Sequence, residues 1–168
     1  MTSSDHAGST LGHWLARAGP DDVAALTALK RAAYARNRPL LGVEPLPLLV
    51  DYGAVVADPG KETWLATMDG RLAGALVLAI RPGDLLLESI ATDPAAQGAG
   101  LGRRLLAAAV TRARELERSC VRLYTGSPLT HLIGWYARHG FVIEREEVLT
   151  DRRITHMRRD LNSGDTFP

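Results

Sequence analysis

The stretch ESIATDPAAQGAGLGRRLLAAAV, Glu88 to Val110, places Gly98, Gly100 and Gly102 between an apolar run and an alanine-rich amphipathic segment. Each glycine costs backbone entropy, and those nearest the helix delay its start. Their use becomes clear from what flanks them. A strand, a glycine turn and a helix in succession leave backbone amides unpaired at the positive end of the helix. Alternate glycines let an anion approach that main chain without meeting a side chain. The stretch therefore asks for a phosphate.

Working outward, TWLATMDGRLAGALVLAIRPGDLLLESIAT (63–92) reads as three strands joined by tight turns at Asp69-Gly70 and Pro82-Gly83-Asp84. Downstream, Leu101, Leu105, Ala109, Ala113 and Leu116 keep helical spacing to about Arg118, and CVRLYTG supplies a further strand. THLIGWYARHG predicts a helix capped by Gly140, and FVIEREEVL with RITHMRRDL a final hairpin. Upstream, GHWLARA fits a first strand, and residues 21–36 a helix opened by Pro20, Asp21 and Asp22. The proline-punctuated 38–60 segment contains LPLLVDYGAVVA, a short helix in a region placed to cover a binding site. The order predicts a mixed α/β fold, a mostly antiparallel central sheet flanked by helices, with one parallel pair made by a crossover.

At 168 residues the chain fits a single domain over 1–168, with an ordered core at about 11–161 and short frayed ends, because MTSSDHAGST and NSGDTFP offer nothing to pack. Its 20 basic and 19 acidic residues give a net charge of +1, which argues against a nucleic-acid binder. No apolar run approaches the roughly 20 residues of a spanning helix, and the first residues lack a leader pattern. A cytoplasmic protein with no membrane partner is expected. The single Cys120 excludes an internal disulfide framework, and five scattered histidines without helical pairing argue against a metal site.

Two familiar nucleotide loops fail on context. A Walker loop needs Lys-Ser/Thr after its last glycine, where Arg103 and Arg104 stand; a Rossmann turn needs G-x-G-x-x-G in a parallel sheet. Gln97-Gly98-Ala99-Gly100-Leu101-Gly102 fits Q/R-x-x-G-x-G/A directly after a strand, and WYARHGFVIERE follows about forty residues later. On these two motifs in this order the sequence resembles the GNAT superfamily of acyl-CoA N-acyltransferases. Within it, the C-terminal part is similar to a bacterial subgroup with Y-T-x-x-x-M-T-x-N-x-x-x-Y-x-x-x-G-Y/F, although the asparagine that often meets the pantetheine arm falls at Leu132.

The resemblance implies a GNAT fold and an enzyme that moves an acetyl group from acetyl-CoA to a primary amine by direct transfer in a ternary complex. It assigns the coenzyme pyrophosphate to Gln97, Gly98, Ala99, Gly100, Leu101, Gly102 and Arg103, with Arg104 an alternative to Arg103. The strand edge at Ile90, Ala91 and Thr92 would bind the thioester carbonyl and pantetheine amides. Tyr136 matches the tyrosine that serves the departing thiolate. Glu88 is placed to act as general base through water, with Tyr124 and His131 as other candidates or as substrate contacts. A small-molecule amine is expected ahead of a protein acceptor, and a homodimer is common in the family. The rival reading is a regulatory module that holds acyl-CoA without turnover.

Overall fold

The computed structural model describes residues 11–168, so the expectation for MTSSDHAGST lies outside the described residues. The chain runs β1 (Leu15–Arg17), α1 (Val23–Tyr34), α2 (Arg38–Leu41), α3 (Tyr52–Ala57), β2 (Lys61–Met68), β3 (Arg71–Ile80), β4 (Leu85–Thr92), α4 (Leu101–Glu115), β5 (Cys120–Gly126), α5 (Thr130–Arg138), β6 (Val142–Val148) and β7 (Arg153–Asp160). The seven strands form one sheet in the order β1-β2-β3-β4-β5-β7-β6. Only β4 and β5 pair in parallel, through the α4 crossover; the other neighbours are antiparallel. The mixed, mostly antiparallel α/β class expected from the sequence is the one observed.

Two apolar layers enclose the sheet because β3 is buried on both sides. Leu76 and Leu78 pack with Leu105, Leu106, Ala109 and Val110 of α4, while Ala75 and Val77 pack with Leu26, Leu29 and Tyr52 of α1 and α3. Leu76, Leu78, Leu105 and Leu106 are fully excluded from water, each burial contributing about 2 kcal/mol. Gly74 permits the closest approach of helix to sheet. A Cβ there would meet Leu101 and Leu105 methyls at 3.0 Å.

The turn at Asp69-Gly70 has both residues at positive φ, the mirror-image geometry that matches strand twist. Helix α4 stops at Glu115, short of the expected Arg118. Glu117 adopts φ 54° and the Arg118 amide donates to the Ala113 carbonyl at 2.8 Å, a left-handed cap that helical periodicity alone does not announce. The predicted helix 21–36 begins and ends in 3-10 turns around α1.

The C-terminal tail departs most from expectation. Far from lacking partners, it lies over the α4–α5 side: Asp165 accepts from the buried Arg159 at 2.9 Å, and the Phe167 ring stacks on His139 at 5.5 Å. The Arg103 and Arg159 guanidinium groups sit over the same ring, at 5.7 and 5.1 Å. Composition suggested a frayed end because Phe167 finds these partners only through folding.

The decisive feature is a split in the sheet. The β4–β5 register runs from Leu85↔Val121 to Leu87↔Leu123 and stops there, although β4 continues to Thr92 and β5 to Gly126. On the other side of β4, Val77 faces Ser89 while Leu78 faces Leu87, leaving Glu88 as an extra, bulged residue. A bulge bends its strand and increases the local twist. The two parallel strands separate at that point.

Candidate active site

A cavity of about 690 Å³ occupies the split. One wall is the open run of β4, another the end of β5 from Tyr124 to Gly126, a third the α5 residues Leu132, Trp135 and Tyr136. At the β4 end lies the glycine loop. Gly98 and Gly100 hold φ of 90° and 75° with open space where a Cβ would stand, so both are needed for backbone conformation and for unobstructed approach. Gly102 instead faces the Trp135 ring, 3.8 Å from its would-be Cβ. The first helical bond of α4 runs from the Arg104 amide to the Gly100 carbonyl at 3.1 Å. The amides of Leu101, Gly102 and Arg103 therefore have no acceptor within the helix and sit at its positive end. This arrangement fits a pyrophosphate.

Of the residues nominated from sequence, Glu88, Ile90, Ala91, Thr92, Gln97, Gly98, Gly100, Leu101, Gly102, Arg103, Tyr124 and Tyr136 line the cavity; Ala99 does not. Its exposed side chain follows from the alternation of the loop. Arg104 is also excluded, because its guanidinium lies 4.2 Å from the centre of the Trp14 ring. Arg103 lines the cavity while donating to the Pro168 carbonyl oxygen.

The strand edge is subtler than its sequence suggested. The Tyr34 hydroxyl donates to the Ile90 carbonyl oxygen. Peptide groups alternate sides along a strand, so Ile90 and Thr92 share the edge on the split and the Ala91 groups turn toward β3. Ala91 contributes wall, not polar contact. Burial pushes the Tyr34 phenol well above its ordinary range, which keeps it a donor.

Glu88 is not an isolated carboxylate. Lys61 of β2 lies 2.9 Å from one oxygen and 3.1 Å from the other. Beneath the same stretch, Lys30 of α1 is fully buried, with Nζ 2.5 Å from the Ser89 hydroxyl and 5.7 and 5.4 Å from the centres of the Tyr34 and Tyr52 rings. Burial pushes its amine down to about 7, against a smaller opposing pull from Glu88. Burial pushes Tyr136 up to about 12, and burial followed by the charge of Glu88 also raises Tyr124. Both phenols stay protonated near neutrality. Tyr124 lines the cavity with its ring 6.1 Å from that of His156.

His131 lines the cavity at the start of α5. His156 is drawn away from the cavity by Glu147, 2.7 Å from its Nε2. Leu132 lines the cavity where the resemblance places an asparagine, so its side chain supplies an apolar surface only. Sequence reasoning missed Tyr34, Lys30 and Arg36, whose guanidinium donates to Gln97 at 2.6 Å. On α1 and the turn after it they read as ordinary polar positions, and nothing in helical spacing marks a partner about sixty positions away.

A mostly antiparallel sheet that splits within its one parallel pair, with a glycine-opened helix at the mouth, frames this cavity. The chain belongs to the acetyltransferase (GNAT) family, whose model matches residues 24–141. It is 31% identical over 96 residues to mycothiol acetyltransferase of Cellulomonas flavigena, a match covering 51% of this chain and 28% of that relative. The chain thus spans under a third of that relative's length. Among solved structures, nourseothricin acetyltransferase is 27% identical with TM-score 0.56, over 61% of this chain and 66% of the other. PaiA N-acetyltransferase of Thermoplasma acidophilum, in complex with coenzyme A, gives TM-score 0.72 at 16% identity, over 88% and 98% of the two chains. No helix among the described residues is long and apolar enough to cross a membrane.

Proposed function

We propose that this chain transfers the acetyl group of acetyl-CoA to the primary amine of a small molecule, directly, with both substrates bound in the β4–β5 split. The observation that carries this reading is the continuity of one cavity from the open amides of the glycine loop, along the free edge of β4, to Tyr136. The coenzyme complex of the PaiA protein supports it by likeness of fold.

In this reading the amides of Leu101, Gly102 and Arg103 hold the pyrophosphate, with Gln97, Gly98 and Gly100 shaping its approach and Arg103 adding charge. The Ile90 and Thr92 edge holds the pantetheine arm and polarises the thioester carbonyl. The amine nitrogen attacks that carbonyl, its lone pair forming the new C–N bond. The C–S bond then breaks, its electrons leaving on sulfur, and the proton on nitrogen is lost to solvent or to a base.

Two residues assist. Tyr136, protonated with a pKa of about 12, serves the thiolate as a hydrogen-bond donor. Full transfer to a thiolate near 8.5 would be uphill by about 5 kcal/mol. Glu88 accepts the ammonium proton through water, its side chain positioned by Lys61.

Calorimetric titration with acetyl-CoA tests the reading. Binding in the micromolar range, about −8 kcal/mol, with amine-dependent thiol release is expected. Binding without thiol release would make the chain a coenzyme-holding module, and no binding would remove the coenzyme from its function.

A further inference from the structure

The acceptor end of the cavity, opposite the glycine loop, is built from Leu41, Val43, Leu46, Pro47, Leu129 and Ile154. The segment carrying the first four is docked, since Leu41 packs so closely on Gly126 that a Cβ there would overlap it. Arg152 fastens it from the far side, donating to the Glu44 carbonyl oxygen at 2.9 Å and joining the 42–47 segment to the β6–β7 turn. This stretch of wall is therefore apolar and held in place, with Asn37, Arg152 and Arg153 the polar members of the lining nearest it in sequence.

Charge at this end is already neutralised. Glu88 is the one carboxylate among the described residues lining the cavity, and Lys61 engages both of its oxygens. Arg152 meets the two Asp151 oxygens at 3.0 and 2.8 Å, and Arg153 pairs with Glu146. Arg36 and Arg103 line the opposite end, against Gln97 and in the first turn of α4. Arg138 lies one turn beyond Trp135, which faces Gly102. A second ammonium on the acceptor would enter an apolar wall with no anion to receive it, at a large desolvation cost.

Resting on the acetyltransferase reading, we infer that the acceptor is a monoamine whose reactive nitrogen is its only charge, carried on an apolar alkyl or aryl body. Its nitrogen points to Glu88 and its body fills the leucine- and proline-lined end. A polyamine or other polycationic acceptor is disfavoured by the same wall.

The test compares n-hexylamine with 1,6-diaminohexane, equal in length and differing by one terminal ammonium. Thiol release from acetyl-CoA gives kcat/KM, and calorimetry of each amine into the protein saturated with coenzyme A gives binding without turnover. The monoamine is expected to exceed the diamine by about 100-fold or more, and n-hexylamine to exceed n-butylamine by about tenfold, the effect of two buried methylenes. Leu46→Glu is expected to shrink the monoamine preference while leaving coenzyme affinity within a few-fold. Equal or better use of the diamine, a flat response to chain length, or failure of both amines to bind overturns the inference. If acetyl-CoA binds and the diamine is preferred, only the acceptor class falls. If acetyl-CoA does not bind, the transferase reading falls and takes this inference with it.

Discussion

Lys61 and Glu88 form a two-point ion pair, 2.9 and 3.1 Å, between β2 and the bulged residue of β4. The pair fixes the carboxylate at the cavity wall, two residues before the edge assigned to the thioester. Glu88→Gln removes both the negative charge and the proton acceptor. The loss in kcat/KM is expected to reach 10- to 100-fold near pH 6–8, where an alkylamine acceptor enters as ammonium, and to narrow only as the pH approaches the roughly 10.4 of such an amine, where a growing share arrives neutral. A pH–rate profile of thiol release checks this. A loss of equal size at every pH would assign Glu88 to holding the bulge.

Tyr136 lies in the α5 wall with its ring edge-on to Trp135 at 5.0 Å and Phe141 at 5.9 Å. Tyr136→Phe keeps these ring contacts and deletes the donor. Turnover is expected to fall by roughly tenfold to a hundredfold while acetyl-CoA affinity changes less than about threefold. Steady-state kinetics beside calorimetry separates the two, and unchanged turnover reduces Tyr136 to packing.

Gly100 carries φ 75° at the entry to α4, in the left-handed region. Gly100→Val places a branched side chain in that conformation, costing about 1–2 kcal/mol or more of strain, and on the path of the incoming phosphate. Acetyl-CoA binding is expected to disappear while the far-ultraviolet circular dichroism stays near that of the parent. Retained affinity would take the loop out of coenzyme binding.

Lys30 carries a pH signature in stability. Burial penalises its ammonium and pushes the amine down to about 7 in the fold, from an ordinary 10.5. Between those values the unfolded chain binds a proton that the folded chain does not, so stability rises with pH by up to about 1.4 kcal/mol per unit. Urea denaturation at pH 7, 8 and 9 is expected to show this rise in the parent and a flatter profile in Lys30→Met. Equal slopes would mean that Lys30 stays charged in the fold.

Much of this architecture is legible along the chain because it is local. The Asp69-Gly70 turn, the apolar run of β3 bounded by two tight turns and the spacing of Leu101, Leu105 and Ala109 each record an interaction within a few residues, and they placed the sheet, the crossover helix and the glycine loop close to where they stand. The left-handed Glu117 that ends α4 early and the packing of Phe167 on His139 and Arg159 escaped the same reading. A residue type with no strong preference for its conformation or partner leaves no periodic trace.

The amino-acid sequence by itself determined most of the elements, their order and the glycine loop, since propensity and periodicity act over one or two turns of chain. Tertiary structure alone decided what the cavity can hold. The bulge at Glu88 and its pairing with Lys61, the burial of Lys30 against Ser89, and the docking of Leu41 on Gly126 join residues far apart in sequence. The longest such link, Arg152 to the Glu44 carbonyl, spans 108 positions. Charge, desolvation and shape at a site depend on distances in space, and only folding brings these groups within hydrogen-bonding and van der Waals range.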